Sequence, residues 1–215
     1  PAELYGDNDY IFLAKEDNRQ CNCWSLPASV DAHVPGTGRP LLFFLGSGGS
    51  IANLLPSLFV FLNLGLSQYI IDYRGYRRSS GNPTVLGTLR DARAAWDWLG
   101  REKNCAPEEI ILFGRSLGGR VAASLAAEVQ AGALILESTF TSLVELARDM
   151  YPFMPFRWFL PEDYATRAQL AKVHTPVLFA HSPADEGITF KHGRSLPPRC
   201  NGPHQFLELP GPHGH

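Results

Sequence analysis

The most chemically suggestive feature of this 215-residue sequence is a serine flanked by glycines. Ser116 is the centre of a G-x-S-x-G pattern at Gly114–Gly118, which follows the apolar run Ile110–Phe113 and precedes a helical pattern. A strand, a tight turn and a helix in this order would project the serine hydroxyl out of a sheet, and the small residues would let the backbone pack around a strained turn. The pattern predicts a nucleophile that attacks carbonyl groups. The alternative is an N-cap serine at a glycine-rich helix start.

A serine nucleophile requires a base, and the base requires a group that orients it. Asp185 follows the apolar run Pro176–Ala180, and His213 follows the later run Gln205–Leu209. Parallel strands place all three residues at one edge of a sheet, in the chain order serine, acid, histidine. We therefore expect His213 to accept the proton of Ser116 and Asp185 to stabilise the imidazolium.

Each partner has competitors in the sequence. His215 is an alternative base, and Glu137 and Glu186 are alternative acids. His181 is expected to support the loop of Asp185. Four further histidines are expected to be structural or at the surface: His33, His174, His192 and His204.

A developing oxyanion would need two backbone N–H donors. The N–H of Leu117, directly after the serine, is the first candidate. The second is expected from the loop Gly46–Gly49 after the strand Leu41–Leu45, with Ser47 preferred and Gly48 next. On its own, this loop could equally be a plain strand-to-helix turn.

Short apolar runs alternate with helical patterns along the chain, which predicts a doubly wound, mostly parallel α/β sheet in a single domain over residues 1–215. An N-terminal antiparallel hairpin is expected from Tyr10–Ala14 and Cys21–Leu26. The predicted central strands are Leu41–Leu45, Gln68–Asp72, Ile110–Phe113, Ala133–Leu136, Pro176–Ala180 and Gln205–Leu209.

The segment Thr139–Leu170 is about twice as long as the other crossovers and carries three prolines within Tyr151–Pro161. Prolines at this density prevent one regular helix, so a cap insertion over the carboxyl edge of the sheet is expected. Its aromatic residues would form an apolar substrate pocket, or alternatively pack for stability alone. The predicted pocket residues are Tyr151, Phe153, Phe156 and Trp158.

Four arginines are expected either to line the path by which a substrate approaches the site or to solvate a loop: Arg74, Arg77, Arg78 and Arg115.

Composition narrows the function classes. The chain is 45% hydrophobic, which is typical of a globular protein, and its net charge of −2 argues against binding to nucleic acid. The apolar stretch Ile51–Leu66 is interrupted and too short for a membrane span.

No leader-like segment opens the sequence, and the cysteines lack metal-site spacing, so a cytoplasmic protein with reduced thiols is predicted. A disulfide involving Cys21 or Cys23 is the alternative.

The sequence resembles the α/β-hydrolase-domain serine hydrolases related to protein depalmitoylases and serine-aminopeptidase-like esterases. The matching segments span roughly residues 40–213 and are IDYRGY at 71–76, SSG at 79–81, LFGRSLGG at 112–119, LESTFTS at 136–142, and the segments of Asp185 and His213. The resemblance implies an α/β-hydrolase fold and hydrolysis of a carboxylic ester or thioester, on a small-molecule or acylated substrate. It implies an acyl-enzyme on Ser116 and no metal or cofactor. The sequence departs from the family pattern at Leu45–Gly46 and at His181–Ser182, where His-Gly is usual.

Two alternatives remain open at this stage. The same three residues could serve a peptidase or a hydrolase of carbon–carbon bonds. A hydrolase fold can also be retained as a binding protein, since fold alone does not confer activity. The sequence does not indicate the oligomeric state.

Overall fold

The structure of the protein is a computed structural model. The structure describes residues 9–14, 19–28, 38–46, 51–76, 79–82, 84–153 and 165–213. The strands are β1 (Asp9–Ala14), β2 (Arg19–Leu26), β3 (Pro40–Phe44), β4 (Ser67–Asp72), β5 (Ile111–Arg115), β6 (Ala133–Glu137), β7 (Val177–His181) and β8 (His204–Glu208). The helices are α1 (Ile51–Asn63), α2 (Val85–Glu102), α3 (Leu117–Ala126), α4 (Leu143–Met150), α5 (Thr166–Leu170) and α6 (Phe190–Ser195).

The strands form one eight-stranded sheet in the order β1-β2-β4-β3-β5-β6-β7-β8. β1 and β2 pair antiparallel, and β2 pairs antiparallel with β4. The pairs from β4 through β3 to β8 are all parallel. The predicted hairpin and all six predicted central strands are confirmed, with bounds that differ by one or two residues.

The inner strands β3 to β7 carry mostly apolar residues because helices cover both faces of the sheet. Every residue of β3 is buried, and Phe43 packs at 4.4 Å between ring centroids against Phe113 of β5. Phe61 of α1 closes this aromatic cluster at 5.0 Å from Phe113. The rigid core therefore lies directly beneath the carboxyl ends of β3 and β5.

Two arginines depart from the expectation of exposure. Arg74 is buried and forms a bidentate ion pair with the fully buried Asp91 of α2, at 2.6 Å from Nη2 to Oδ1. Arg115 is also buried, beside Glu137. A charged side chain enters a protein interior when a partner and hydrogen bonds compensate its lost hydration, and both arginines have such a partner. Arg77 and Arg78 lie outside the described residues.

The structure also bears on the expectations about the cysteines, the cap insertion and a membrane span. Among the described residues the structure assigns no disulfide bond to Cys21, Cys23, Cys105 or Cys200, so the disulfide alternative is not supported. The described parts of the expected cap insertion are α4 and α5, with an isolated bridge between Ser142 and Ala165. Residues 154–164 lie outside the described residues. Among the helices that the structure describes, none has both the length and the apolar character needed to cross a membrane.

Candidate active site

Ser116 occupies a strained turn between β5 and α3. Its backbone has φ +55° and ψ −121°, a combination that side-chain-bearing residues rarely adopt. The turn is held from β6 and its following loop: the Ser116 N–H donates to the Glu137 carbonyl at 3.0 Å, and the Thr139 hydroxyl donates to the Ser116 carbonyl at 2.8 Å. The surrounding structure thus fixes the strained backbone conformation of Ser116.

The glycines around Ser116 are required because neighbouring backbone or side-chain atoms come too close for a Cβ. A Cβ at position 118 would lie 2.0 Å from the carbonyl oxygen of Phe44, and one at position 114 would lie 2.4 Å from the carbonyl oxygen of Gly118. A Cβ at position 119 would lie 2.4 Å from the Thr139 hydroxyl oxygen. The G-x-S-x-G pattern therefore has a steric cause here, because α3 begins pressed against the end of β3.

The loop after β3 lies beside the Ser116 hydroxyl. A Cβ placed at position 46, where the residue is glycine, would lie 3.6 Å from Ser116 Oγ. The preceding carbonyl, that of Leu45, accepts a hydrogen bond from the Tyr73 hydroxyl at 3.3 Å. Burial, with a smaller contribution from the Asp91 charge, raises the pKa of Tyr73 well above its ordinary value, so the phenol remains a donor. Ser47 and Gly48, predicted as oxyanion donors, lie outside the described residues, whereas Leu117 is the first residue of α3.

Asp185 is buried at the carboxyl end of β7 and accepts hydrogen bonds at both oxygens. Oδ1 accepts the N–H groups of Gly187 and Ile188 at 2.9 and 2.8 Å. Oδ2 lies 2.7 Å from His213 Nδ1 and 3.3 Å from His181 Nε2. Burial opposes ionisation of Asp185, but the bonds from His181, His213 and Ile188 outweigh it and hold the pKa of Asp185 well below its ordinary value. The group is a fixed carboxylate.

The two imidazoles beside Asp185 differ in exposure. The His181 side chain is 1% exposed, and its Nε2 lies 2.8 Å from the Ile188 carbonyl oxygen, so it braces the Asp185 loop as expected. The His213 side chain is 33% exposed and uses Nδ1 toward the carboxylate. Because Nδ1 faces the carboxylate, Nε2 is the nitrogen of His213 that could exchange a proton with another group. An imidazole oriented in this way by a carboxylate can act as a general base.

The competing acid and base residues have different surroundings. Glu137 forms an ion pair with Arg115, and Arg115 also donates to the Ser57 hydroxyl on α1. Glu186 is exposed, and His215 lies outside the described residues. Sequence reasoning missed the pairing of Arg115 with Glu137. The available signal was a pair of opposite charges at the ends of neighbouring strands.

The predicted substrate-pocket residues are only partly described. Tyr151 and Phe153 follow α4, and their exposed fractions are 56% and 98%. Phe156 and Trp158 lie outside the described residues. Among the described residues, no group of three or more His, Cys, Asp or Glu side chains is arranged to hold a metal ion.

The sheet is mostly parallel and has eight strands, and Ser116 lies on a strained strand-to-helix turn. A carboxylate–histidine pair follows the later strands. Together these features define an α/β-hydrolase fold. The chain belongs to the alpha/beta hydrolase family, whose sequence profile matches residues 33–211.

Similar proteins agree with this membership. The chain is 32% identical over 202 residues to the uncharacterized protein Rv2307c of Mycobacterium tuberculosis, covering 94% of this chain and 70% of that protein. It is 32% identical over 184 residues to the human alpha/beta hydrolase domain-containing protein 17B, covering 82% of this chain and 60% of that protein. In fold it is similar to Est1E of Butyrivibrio proteoclasticus, with a TM-score of 0.76 at 17% identity, covering 96% of this chain and 91% of that one. Family and fold are those of hydrolases.

Proposed function

We propose that the protein is a serine hydrolase that cleaves a carboxylic ester or thioester through an acyl-enzyme on Ser116. The observation that carries the proposal is the 2.7 Å contact between His213 Nδ1 and Asp185 Oδ2, at the same sheet edge as the strained turn of Ser116. A binding protein would not require a strained serine together with a buried, ionised carboxylate that orients a half-exposed imidazole.

Acylation begins with His213 Nε2 accepting the proton of the Ser116 hydroxyl while Oγ attacks the carbonyl carbon of the substrate. The carbonyl oxygen becomes an oxyanion that accepts the Leu117 N–H and a second N–H from the loop after Gly46, with Ser47 the preferred donor. The tetrahedral species collapses as the bond to the alcohol or thiol breaks. His213 donates its proton to that leaving group.

Deacylation repeats these steps with water. His213 accepts a proton from the water molecule, whose oxygen attacks the acyl carbon. The bond to Ser116 Oγ breaks, Oγ regains the proton from His213, and the carboxylic acid leaves. Throughout, Asp185 remains ionised and stabilises the imidazolium, as expected of a carboxylate whose pKa is held low by hydrogen bonds from three donors, His181, His213 and Ile188.

Hydrophobic acyl groups are the proposed substrates. Three large side chains at and just after the end of α4 are exposed to solvent, Met150, Tyr151 and Phe153, with exposed fractions of 59%, 56% and 98%. An exposed apolar surface of this kind is typical of binding sites. Phe156 and Trp158 continue the same apolar sequence and are proposed as further acyl contacts.

A fluorophosphonate probe tests the proposed function directly, because it labels only an activated serine. The folded wild-type protein should be labelled, and Ser116→Ala should not. Ser195→Ala, which removes an exposed hydroxyl of α6, is the matched control and should be labelled like the wild type. Absence of wild-type labelling, or labelling of folded Ser116→Ala, would contradict the proposal.

A further inference from the structure

Ser182 connects the loop of Asp185 to the loop of His213. It is 2% exposed and directly follows β7. Its hydroxyl donates to the Gly211 carbonyl and accepts the Ala184 N–H at 3.0 Å, and its own carbonyl accepts the Asp185 N–H at 3.2 Å. One buried residue therefore bonds to both segments that carry the carboxylate–histidine pair.

The segment that carries His213, residues 210–213, makes few other hydrogen bonds to residues that the structure describes. The pairing of β7 with β8 ends at the bond from Leu209 N–H to the His181 carbonyl, at 3.0 Å. Pro210 and Pro212 have no N–H to donate, and Gly211 has φ +87°, a turn conformation. Among the residues that the structure describes, the hydrogen bonds that hold residues 210–213 are those from Ser182 to Gly211 and between His213 and Asp185.

From these contacts we infer that Ser182 is a positioning residue, whose hydroxyl holds the loop of His213 at the distance that pairs Nδ1 with Asp185. The inference rests on the proposed function, in which His213 is the base. Without the Ser182 hydroxyl, the hydrogen bond between His213 and Asp185 would be the one remaining for residues 210–213 among the described part of the chain. Because a catalytic group must be held to a fraction of an ångström, a loosened loop lowers the rate of the chemical step rather than substrate binding.

Ser182→Ala removes the hydroxyl and leaves the backbone bond to Asp185 in place. We expect kcat for a p-nitrophenyl ester to fall between about 5-fold and 100-fold, with KM changed less than twofold. Ser182→Cys replaces the hydroxyl with a slightly larger thiol, which is a much weaker donor, and should give an intermediate kcat. It also serves as the test if the alanine variant does not fold.

Ser79→Ala is a matched control. Ser79 is also buried, and its hydroxyl accepts the Asn22 N–H at 3.0 Å and donates to the Asp72 carbonyl at 2.6 Å. These partners belong to β2 and β4, which β3, β5 and β6 separate from β7 and β8. Its loss should lower the melting temperature comparably and leave kcat within twofold of the wild type. Equal losses of kcat in Ser79→Ala and Ser182→Ala would overturn the inference, as would wild-type kcat in Ser182→Ala.

A spectroscopic measurement separates this inference from the proposed function. The Nδ1 proton of an imidazole bonded to a carboxylate gives a low-field proton NMR signal, which His213→Ala would assign by its loss. In Ser182→Ala this signal should broaden or vanish, while Ser79→Ala should retain it. If the wild type hydrolyses no ester but this pattern is found, the proposed function is wrong and the positioning role stands. An unchanged signal in Ser182→Ala overturns the positioning role whatever the activity.

Discussion

Arg115 and Glu137 form a largely buried ion pair at the carboxyl ends of β5 and β6, with Arg115 Nε 2.7 Å from Glu137 Oε1. The two residues are direct partners in the register of the sheet, and Ser116 follows Arg115 in the chain. The carboxylate of Glu137 is thus engaged by a guanidinium, whereas that of Asp185 is engaged by imidazoles. This difference separates a stabilising acid from the proposed catalytic one.

Asp185→Asn is expected to lower kcat by about 10²- to 10⁴-fold, because the amide cannot stabilise an imidazolium. Glu137→Gln should keep kcat within about fivefold but reduce the free energy of unfolding by up to about 3 kcal/mol, since it weakens a buried ion pair. Ester kinetics and urea unfolding of both variants measure the two effects. A larger kinetic loss in folded Glu137→Gln would assign the acid to Glu137.

Ser116→Ala is expected to reduce ester hydrolysis on the order of 10³-fold or more while the fold persists. Ser116→Gly should be equally inactive but more stable than Ser116→Ala by about 1 kcal/mol, because glycine adopts φ +55° without strain. Urea unfolding of the two inactive variants gives the difference. Equal stabilities would show that the turn stores no strain.

Gly118→Ala should destabilise the protein by about 3 kcal/mol or more, because the new Cβ would lie 2.0 Å from the Phe44 carbonyl oxygen. Gly100→Ala is the matched control on the exposed side of α2, where a Cβ meets nothing within 4 Å. It should stabilise the helix by about 0.5–1 kcal/mol. Thermal or urea unfolding that ranked the two variants in the opposite order would contradict the steric account.

The low pKa of Asp185 has a consequence for stability at acid pH. The unfolded carboxyl binds its proton near pH 4, while the folded carboxyl remains ionised to lower pH. The stabilisation from this group is therefore complete above about pH 4 and declines as the pH falls below it. In thermal unfolding, the difference between wild type and Asp185→Asn should narrow from pH 6 to pH 3. A constant difference would show that Asp185 is not preferentially ionised in the folded state.

Phe153→Ala tests the proposed acyl surface. Because Phe153 is 98% exposed, its removal should leave the melting temperature unchanged within about 1 °C. If Phe153 contacts the acyl chain, KM should rise for p-nitrophenyl octanoate and stay constant for the acetate. Identical profiles across acetate, butyrate, octanoate and decanoate in variant and wild type would remove Phe153 from the acyl site.

The sequence patterns predicted the features that depend on neighbouring residues in the chain, such as the strands. They missed contacts between side chains that are far apart in the chain. Continuous apolar runs identified β3 and β5 because both faces of the central sheet are covered. The contact between Asp185 and His213 could be anticipated because each follows a parallel strand. The burial of Arg74 could not, because the compensating charge, Asp91, comes from a helix 17 residues later. Ser182 differs from the glycine usual in the family, but its hydrogen bond could not be anticipated, since the carbonyl that accepts it is 29 residues away.

The position of β8 has a further consequence for how the protein would lose activity. Among the strands that the structure describes, β8 is the last in the sheet, and four of its five residues are exposed. A strand paired on one side only frays at a lower free energy than the central strands, through a local opening that leaves the rest folded. Such an opening would carry His213 away from Asp185 while Ser116 stayed on its turn. On warming, hydrolysis should therefore fade reversibly before the aromatic core around Phe113 melts.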